Sequence, residues 1–380
     1  MLDRLKLFKK ISEVGVRLFP TNYDQIDLAR KIWLQICKDG SFLSKINNSK
    51  SSFLLPNWIG KLDDSFYIES NLTNYSVLAV DGSQIYPDRH MAGVSCFLIN
   101  IGGIFLNYSK DNSKVDIFSE PQVFLQDDII SDNSGSLKEV VDFKREELEL
   151  WGAIKKSKLL NPTLCLFDGT LIFWSLEGVG KELKNKFLEM YFSNLQQFYE
   201  NKILMAGYIS FPKSRELLNL IKIGLCRFRY ADCIECHRGF STFPCKQIDS
   251  LIDINVTKFF LQASSRTTIF ESKSKIILEY PDNLKPYFFY LDVGSEIARI
   301  EIPAWIAKDE NYIDLICKIV IDQVKKGAGY PICLAEAHNQ AVVKGEDRDF
   351  FYNLIYKVGI ESNKQVSSSQ KSIKKKILGF

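Results

Sequence analysis

Residues Ser76–Ser83 read SVLAVDGS, an apolar run that ends in Asp-Gly, and the pattern returns as TLCLFDGT at Thr163–Thr170. A short apolar run followed by a turn signal is typical of a buried strand. We therefore expect Asp81 and Asp168 at the carboxyl ends of two strands, which is where open α/β sheets bind their ligands. The glycine after each aspartate permits a sharp turn and a close backbone approach.

The segments around these two strands predict a mixed α/β fold. Two strands joined at Ile101-Gly102-Gly103 predict a hairpin, and a long charged helix over 137–159 leads to the second Asp-Gly. Further elements are predicted at 181–199 (helix), 203–210 (strand), 214–223 (helix), 266–305 (strand-like), 311–326 (helix) and 347–358 (helix). A hairpin followed by helix-linked strands favours a mixed sheet flanked by helices. This order is compatible with an RNase H-like topology, although the pattern alone does not select it.

Composition and the positions of linker-like segments suggest how the chain is divided into domains. Of 380 residues, 46% are hydrophobic and 25% are charged with a net charge of +3, as in an ordinary globular protein. We expect an N-terminal helical extension and linker over 1–70, an α/β domain over 71–358 and a basic, disordered tail over 359–380. No apolar run approaches the roughly 18 residues that a membrane span needs, and the N-terminus lacks the features of a secretory signal.

The cysteines bear on the cellular compartment. The chain has nine, and five of them lie in apolar surroundings, which is typical of reduced core residues: Cys37, Cys96, Cys165, Cys317 and Cys333. Reduced thiols in a chain of this size predict a cytoplasmic protein.

If the two Asp-Gly strands are neighbours, Asp81 and Asp168 converge on one site. Like charges in a dry site need a proton or a cation, and oxygen ligands suit Mg²⁺ or Mn²⁺. Such a site suits phosphodiester hydrolysis, in which one metal activates water and a second, about 4 Å away, stabilises the leaving oxygen. The alternative is that each Asp-Gly is only a turn.

The charged helix offers a third carboxylate among Glu146, Glu147 and Glu149. Periodicity favours Glu147, which shares a helix face with apolar positions: Phe143, Leu150 and Ile154. Glu149 instead leads into the small pair Gly152-Ala153, which would let that face approach the sheet. The sequence does not settle this choice.

Three histidines occur in the chain. His338 ends the apolar segment YPICLAEAH at 330–338, where a lone histidine is more often structural than catalytic. His90 is predicted on a loop. Cys233-x-x-Cys236, followed by His237 and with Cys245 as a fourth candidate, could supply ligands for a structural Zn²⁺. The spacing matches no standard zinc finger, so the sequence favours ordinary cysteines over zinc.

Two basic segments are candidates for nucleic-acid contact. Lys213 and Arg215 precede a predicted helix, whose N-terminus together with these side chains could hold a phosphate. An ordinary solvated helix start explains them equally well. Lysines at 371–376 could add nonspecific attraction to DNA.

In their order and spacing, these motifs resemble the NurA family of DNA-repair nucleases over about 76–349. The matching segments are VLAVDGS (77–83), the arginine-glutamate helix (145–149), LFDGTLIFW (166–174), AGYISFPKSRELL (206–218), FLQASSRTTIF (260–270), YLDVGSEIARIEIPAW (290–305) and YPICLAEAH (330–338). The resemblance implies that Asp81 and Asp168 bind metal, that Glu149 is the helical ligand, and that Tyr330 and His338 complete the catalytic site. His338 is expected to orient the scissile phosphate or a water molecule.

The resemblance also implies how the protein would work. It predicts a manganese-dependent (or magnesium-dependent) nuclease that degrades DNA from 5′ ends during double-strand break repair, and a homodimer that docks on a HerA-type hexameric ATPase translocase. The chain departs from the family pattern in its N-terminal extension, the cysteine-rich region 226–245, the lysine tail and FLQASSRTT, which replaces a glycine-containing turn.

Two other functions are compatible with these motifs. The first is a catalytically silent clamp that binds DNA or a translocase on an RNase H-like scaffold. The second is another phosphoryl-transfer enzyme, such as a kinase, which the absence of a G-x-x-x-x-G-K-[ST] loop disfavours without excluding it. The presence of Asp81, Asp168, a helical glutamate and His338 together favours an active nuclease, because a clamp does not need all four.

Overall fold

The computed structural model describes residues 2–18, 22–69, 71–87, 91–92, 96–126, 136–362 and 367–368. The chain forms two compact units. Unit 1 comprises Met1–Ser65 and Pro212–Leu261, and unit 2 comprises Phe66–Phe211 and Gln262–Phe380. The predicted domain from 71 to 358 includes residues of both units, and its boundaries remain predictions.

The helices are, in chain order, α1 (Arg4–Leu18), α2 (Tyr23–Lys38), α3 (Phe42–Asn47), α4 (Leu137–Leu160), α5 (Lys181–Glu200), α6 (Glu216–Gly224), α7 (Cys233–Gly239), α8 (Asp253–Thr257), α9 (Ala304–Ala307), α10 (Glu310–Lys326), α11 (Ile332–Ala341) and α12 (Gly345–Glu361). The main strands of unit 2 are β1 (Tyr75–Ile85), β2 (Cys96–Tyr108), β3 (Lys114–Leu125), β4 (Leu164–Asp168), β5 (Leu204–Ile209), β6 (Ser265–Thr267), β7 (Phe270–Glu271), β8 (Pro286–Asp292) and β9 (Ile297–Pro303). Shorter strands lie at Asn57–Trp58, Ser65–Tyr67, Met91–Ala92 and Ser367–Ser368. Short 3₁₀ helices lie at Trp174–Gly178, Pro244–Ile248 and Lys275–Glu279.

The sheet of unit 2 has the strand order β3-β2-β1-β4-β5-β9-β8-β7, and β6 pairs with β8. The pairs β1-β4 and β4-β5 are parallel, whereas the other neighbours along this order are antiparallel. A meander of three antiparallel strands that continues into parallel strands is an RNase H-like arrangement. The predicted fold class, a mixed sheet flanked by helices, is therefore confirmed.

Three expectations about local structure were wrong. β1 does not end at Val80 but continues through Asp81 to Ile85. Gly102 and Gly103 do not form a hairpin turn, because β2 runs straight through them. β2 pairs with β1 on one side and with β3 on the other, and β3 is a strand that the sequence pattern did not predict.

The two glycines of β2 allow close packing rather than a turn. A Cβ atom on Gly102 would lie 2.2 Å from the backbone nitrogen of Ala341, and one on Gly103 would lie 2.6 Å from the carbonyl oxygen of Ala79. A glycine inside a strand often marks such a close backbone approach.

Helices α4 and α11 cover opposite faces of the sheet. On β1, Val80 and Gly82 face α4, since a Cβ on Gly152 of α4 would lie 3.8 Å from Val80 Cγ1 and a Cβ on Gly82 would meet side chains of α4. Side chains alternate between faces along a strand, so Asp81 faces α11. The helix α4 begins with a capping box at Ser136 and Glu139, and it ends before Asn161, which adopts the left-handed conformation.

Each unit has buried aromatic side chains. The core of unit 2 includes Phe97, Tyr191, Phe198 and Phe289, and in unit 1 the buried Trp33 stacks on Phe260 at a ring distance of 5.3 Å. In the part of the chain that the structure describes, every helix is too short or too polar to cross a membrane.

Candidate active site

Asp81 and Asp168 lie at the same level of two neighbouring parallel strands. Ala79 of β1 pairs with Leu166 of β4, and each aspartate lies two residues beyond its strand's member of this pair. An interval of two residues returns a side chain to the same face of a sheet, so both carboxylates project toward the α11 face. The sequence predicted that the two would converge, although only Asp168 ends its strand.

His338 and Tyr330 meet this pair from the segment that contains α11. His338 Nδ1 lies 2.8 Å from Asp81 Oδ2, and Asp81 Oδ1 accepts a hydrogen bond of 2.8 Å from the backbone N–H of Gly82. The Tyr330 hydroxyl donates a hydrogen bond to Asp168. The ring of Tyr330 packs edge-on against Tyr208, with 5.6 Å between ring centroids. Four predicted site residues are thus brought together.

The end of α11 is held on the sheet by polar contacts. Ser83 Oγ donates to the carbonyl oxygen of Ala341 at 2.6 Å, and Asn100 Nδ2 donates to the same oxygen at 2.8 Å. Ser119 of β3 in turn donates to Asn100 Oδ1 at 3.0 Å. These contacts, together with Gly102, fix the helix that places His338 beside Asp81.

The structure distinguishes the three glutamates of α4. Glu147 pairs with Lys144 at 2.7 Å. Glu149 and Glu146 instead bind the two ends of the Arg145 guanidinium, with Nη1 2.5 Å from Glu149 Oε1 and Nη2 2.6 Å from Glu146 Oε1. Periodicity had favoured Glu147, whereas the resemblance had favoured Glu149.

Gly82 makes room for Glu149 next to Asp81. A Cβ on Gly82 would lie 2.6 Å from Glu149 Oε1 and 2.8 Å from Arg145 Cγ. Glu149 therefore reaches β1 one residue from Asp81, but from the α4 face rather than from the α11 face. Asp81, Asp168, Tyr330 and His338 form one group, and Glu149 approaches that group from the other side of the strand.

Burial and neighbouring negative charges raise the pKa values of two carboxylates in this site. Burial, then the charges of Glu146 and Asp81, raise the pKa of Glu149 well above its ordinary value, although Arg145 acts in the opposite direction. Burial and Asp81 likewise raise the pKa of Asp168, while the Tyr330 hydrogen bond and His338 lower it. Each raised pKa means that a nearby positive charge would stabilise the ionised carboxylate.

The turn after Asp168 is hydrogen-bonded to a buried ion pair that was not predicted from the sequence. Arg299 Nε lies 2.8 Å from Glu301 Oε1, and both side chains are buried in β9. Glu301 Oε2 accepts hydrogen bonds of 2.8 Å from the Thr170 hydroxyl and from the backbone N–H of Leu171. The available signal was the charged pair inside the apolar strand IARIEIP, because buried charges are paired.

The donor chemistry of the site fits a hard divalent cation. Carboxylate oxygens of Asp81 and Asp168 project from the same face, and after burial the charge of Asp81 contributes to the raised pKa of Asp168. Mg²⁺ and Mn²⁺ prefer such oxygen ligands. Across the described ranges, however, no three His, Cys, Asp or Glu side chains are grouped as a metal would need them.

The other predicted site residues lie elsewhere. Lys213 and Arg215 belong to unit 1, where both are exposed and immediately precede α6, so a role in nucleic-acid binding remains a prediction. His90 and the lysines at 371–376 lie outside the described residues.

The strand order and the two aspartates in register define an α/β protein of the RNase H-like class. The family is shown by sequence: the chain belongs to the NurA domain family, whose model matches residues 75–343. Membership confirms the resemblance and the predicted enzyme class, a nuclease. No match was found among curated protein sequences.

One solved structure shows the same fold over nearly the whole chain. The NurA nuclease from Sulfolobus solfataricus aligns over 95% of this chain and 98% of its own, with a TM-score of 0.53 and 15% identity. Drosophila Piwi aligns over 67% of this chain and 27% of its own, with a TM-score of 0.24 and 14% identity. T. thermophilus RuvC in complex with a Holliday junction substrate aligns over 49% of this chain and 94% of its own, with a TM-score of 0.17 and 9% identity.

Proposed function

We propose that this protein is a divalent-metal-dependent nuclease that hydrolyses phosphodiester bonds of DNA, with Asp81, Glu149 and Asp168 as metal ligands. The observation that carries the proposal is the pair Asp81 and Asp168, in register on parallel strands and hydrogen-bonded to His338 and Tyr330, respectively. A passive clamp has no need of two carboxylates held side by side on the same face of the sheet. Family membership supports nucleic acid as the substrate.

A Mn²⁺ or Mg²⁺ ion held by these carboxylates would supply Lewis-acid stabilisation of the negative charge that develops during phosphodiester hydrolysis. Among the three proposed ligands, Glu149 is the one whose charge is already partly neutralised by a neighbouring residue, Arg145. The two-metal mechanism expected from the sequence is part of this proposal.

The chain's own residues hold the carboxylates in position. Tyr330 keeps its proton at neutral pH, since burial and the charge of Asp168 raise its pKa, and it therefore acts as a hydrogen-bond donor to Asp168. His338 fixes one oxygen of Asp81, while the N–H of Gly82 binds the other. His338 is 63% exposed, so its ring can also reach a phosphate or a water in solvent.

The finer features of the function come from the resemblance to the family. We propose 5′-to-3′ exonuclease activity in the processing of DNA ends during double-strand break repair, with manganese as the preferred metal. We also propose a cytoplasmic homodimer that acts with a HerA-type hexameric ATPase.

The test is digestion of linear duplex DNA labelled at the 5′ end or the 3′ end, with Mn²⁺, with Mg²⁺ and with EDTA. We expect metal-dependent degradation that Asp81→Asn and Asp168→Asn each reduce by at least about 10²-fold. Asp282→Asn, which changes a side chain that is 93% exposed, serves as the matched control and should retain full activity. Release of the 5′ label first, and resistance of circular DNA, would support the exonuclease assignment.

Two results would contradict the proposal. Cleavage that persists in both Asp→Asn variants would place the reaction elsewhere. DNA that is bound but never cut, with every metal and with a HerA-type ATPase added, would favour the clamp.

A further inference from the structure

Half-buried cysteines gather in one cleft of unit 1. The cleft has a volume of about 550 Å³ including its open mouth, and its lining includes Cys226, Cys233, Cys236 and Cys245. All four thiols are free and partly accessible. Six, two and eight residues separate them along the chain, so the loop and helix between Cys226 and Cys245 fold back on themselves to bring them together.

The thiols are near enough to influence one another. Burial raises the pKa of Cys236, and the neighbouring Cys226 and Cys233 raise it further. Burial likewise raises the pKa of Cys245, and Cys236 and Cys233 contribute in the same direction, whereas Lys222 opposes them. Cys226, Cys233 and Cys245 therefore all lie near Cys236 within the cleft.

The helix α7 within this segment has little apolar packing to hold it. The helix α7 buries none of its residues, and Ile234 is 63% exposed. An isolated helix of seven residues is far below the length of about 12 at which helices become even marginally stable in water. Its fixed points are the Asp232 cap and backbone hydrogen bonds at Lys50, where Lys50 N donates to Ala231 O at 2.7 Å and Cys233 N donates to Lys50 O at 3.1 Å. A cross-link between Cys226, α7 and Cys245 would supply the missing stabilisation.

We propose that Cys226, Cys233, Cys236 and Cys245 bind one thiophilic divalent cation of the zinc class, which structures the segment 226–245. Four thiolates form the usual tetrahedral shell of a structural zinc site, and such sites contribute directly to the free energy of folding. Among the described residues the four sulfurs share the cleft but are not grouped as metal ligands would be. Binding therefore includes their convergence on the ion.

His237 is assigned outside the ligand set, although it also lines the cleft. Its Nδ1 lies 2.6 Å from the carbonyl oxygen of Cys233, and its ring packs on Phe243 with 4.7 Å between centroids. These contacts engage Nδ1 and one ring face only, and His237 is left out because four thiolates already complete a tetrahedral shell. The sequence had grouped Cys233, Cys236, His237 and Cys245, and the proposed ligand set contains Cys226, which also lines the cleft, in place of the histidine.

The experiment is a Co²⁺ titration of the reduced, metal-stripped full-length protein, followed by the sulfur-to-cobalt charge-transfer absorption. Carboxylate sites do not give this absorption, so the nuclease centre does not interfere. We expect saturation at one Co²⁺ per chain and loss of the absorption when Zn²⁺ is added. Folded wild-type protein that shows no such absorption would overturn the proposal.

Variants then assign the ligands. Cys226→Ser, Cys233→Ser, Cys236→Ser and Cys245→Ser should each weaken Co²⁺ binding at least tenfold, whereas His237→Ala should leave it unchanged. The matched control is Cys37→Ser, because Cys37 is a partly buried thiol of unit 1 outside the cleft lining. Loss of binding in His237→Ala or in Cys37→Ser would refute the four-thiol assignment, and the wild-type titration remains decisive if a variant does not fold.

Discussion

His338 on α11 and Asp81 on β1 are in direct contact, with 2.8 Å between Nδ1 and Oδ2. They are 257 residues apart in sequence, so the contact exists only because α11 is packed on the sheet. Removal of the imidazole in His338→Ala should reduce the turnover number at saturating Mn²⁺ by about 10²-fold or more, the range typical of a group that handles protons or positions a reactant. Far-UV circular dichroism should be unchanged.

The matched control for this prediction is Asn339→Ala. Asn339 is the exposed neighbour of His338 on the same helix, so its loss tests for a general effect on α11. A His338→Ala enzyme within twofold of the wild-type rate would assign the histidine a structural role only.

Tyr330→Phe should raise the Mn²⁺ concentration needed for half-maximal activity by about tenfold or more. The variant keeps the ring that packs on Tyr208 but loses the hydroxyl that donates to Asp168. Partners that hydrogen-bond to a metal ligand commonly affect metal affinity by about 10- to 100-fold. The measurement is a Mn²⁺ titration of cleavage, with binding of Mn²⁺ followed separately by electron paramagnetic resonance. An unchanged Mn²⁺ affinity would show that Asp168 does not depend on Tyr330.

Gly82→Ala should lower metal-dependent cleavage at least tenfold and should also lower the stability of the fold. The new methyl group would lie 2.6 Å from Glu149 Oε1 and 2.8 Å from Arg145 Cγ, so both side chains must shift. Movement of Glu149 would also disturb its ion pair with Arg145. Gly178→Ala is the control, because a Cβ at Gly178 meets no atom within 4 Å. Equal activity of both variants would argue against Glu149 as a ligand.

Much of the site was predictable because its residues follow strong local patterns. The proximity of Asp81 and Asp168 was predicted because each follows an apolar run, and the helix over 137–159 matches α4 almost residue for residue. The choice between Glu147 and Glu149 could not be made from periodicity, since it depends on the space above Gly82. That space is a property of the packed sheet and helix, and no single segment encodes it.

The strand β3 was not predicted from the sequence, for a related reason. Its side chains alternate between exposed and half-buried positions, and Pro121 and charged residues interrupt any apolar run, as on the outer strand of a sheet. Gly102-Gly103 then looked like a turn because glycine is the common residue of hairpins. In the folded chain the two glycines allow close contacts with Ala341 and Ala79, two residues that are distant in the sequence.

Gly102→Ala should destabilise the protein by about 3 kcal/mol, the upper part of the usual range for overpacking. The added Cβ would lie 2.2 Å from Ala341 N and 2.3 Å from Gln340 C, and these are backbone atoms that cannot rotate away. Denaturant unfolding measures the change. A variant as stable as the wild type would mean that α11 is free to shift on β2.

Alkaline pH should destabilise the folded chain partly through its buried thiols. Burial raises the pKa of Cys165 and Cys333 from 9.0 to about 12, so both stay protonated in the native state while the unfolded chain ionises above pH 9. Their contribution is thus complete below pH 9 and falls as the pH rises toward 12. The free energy of unfolding should fall less steeply between pH 9 and 10.5 in Cys165→Ala than in the wild type. Identical slopes would contradict the burial of this thiol.

The contact of α11 with β2 also sets a limit on how the enzyme can vary. Where two helices or strands meet through side chains, a larger residue on one element can be balanced by a smaller one on the other. At Gly102 the backbone of Ala341 meets the backbone of the strand, and no smaller residue remains to compensate for an added methyl group. The distance between His338 and Asp81 is therefore set by the contact between two backbones. Substitutions elsewhere in α11 can change the surface of the helix without changing that distance.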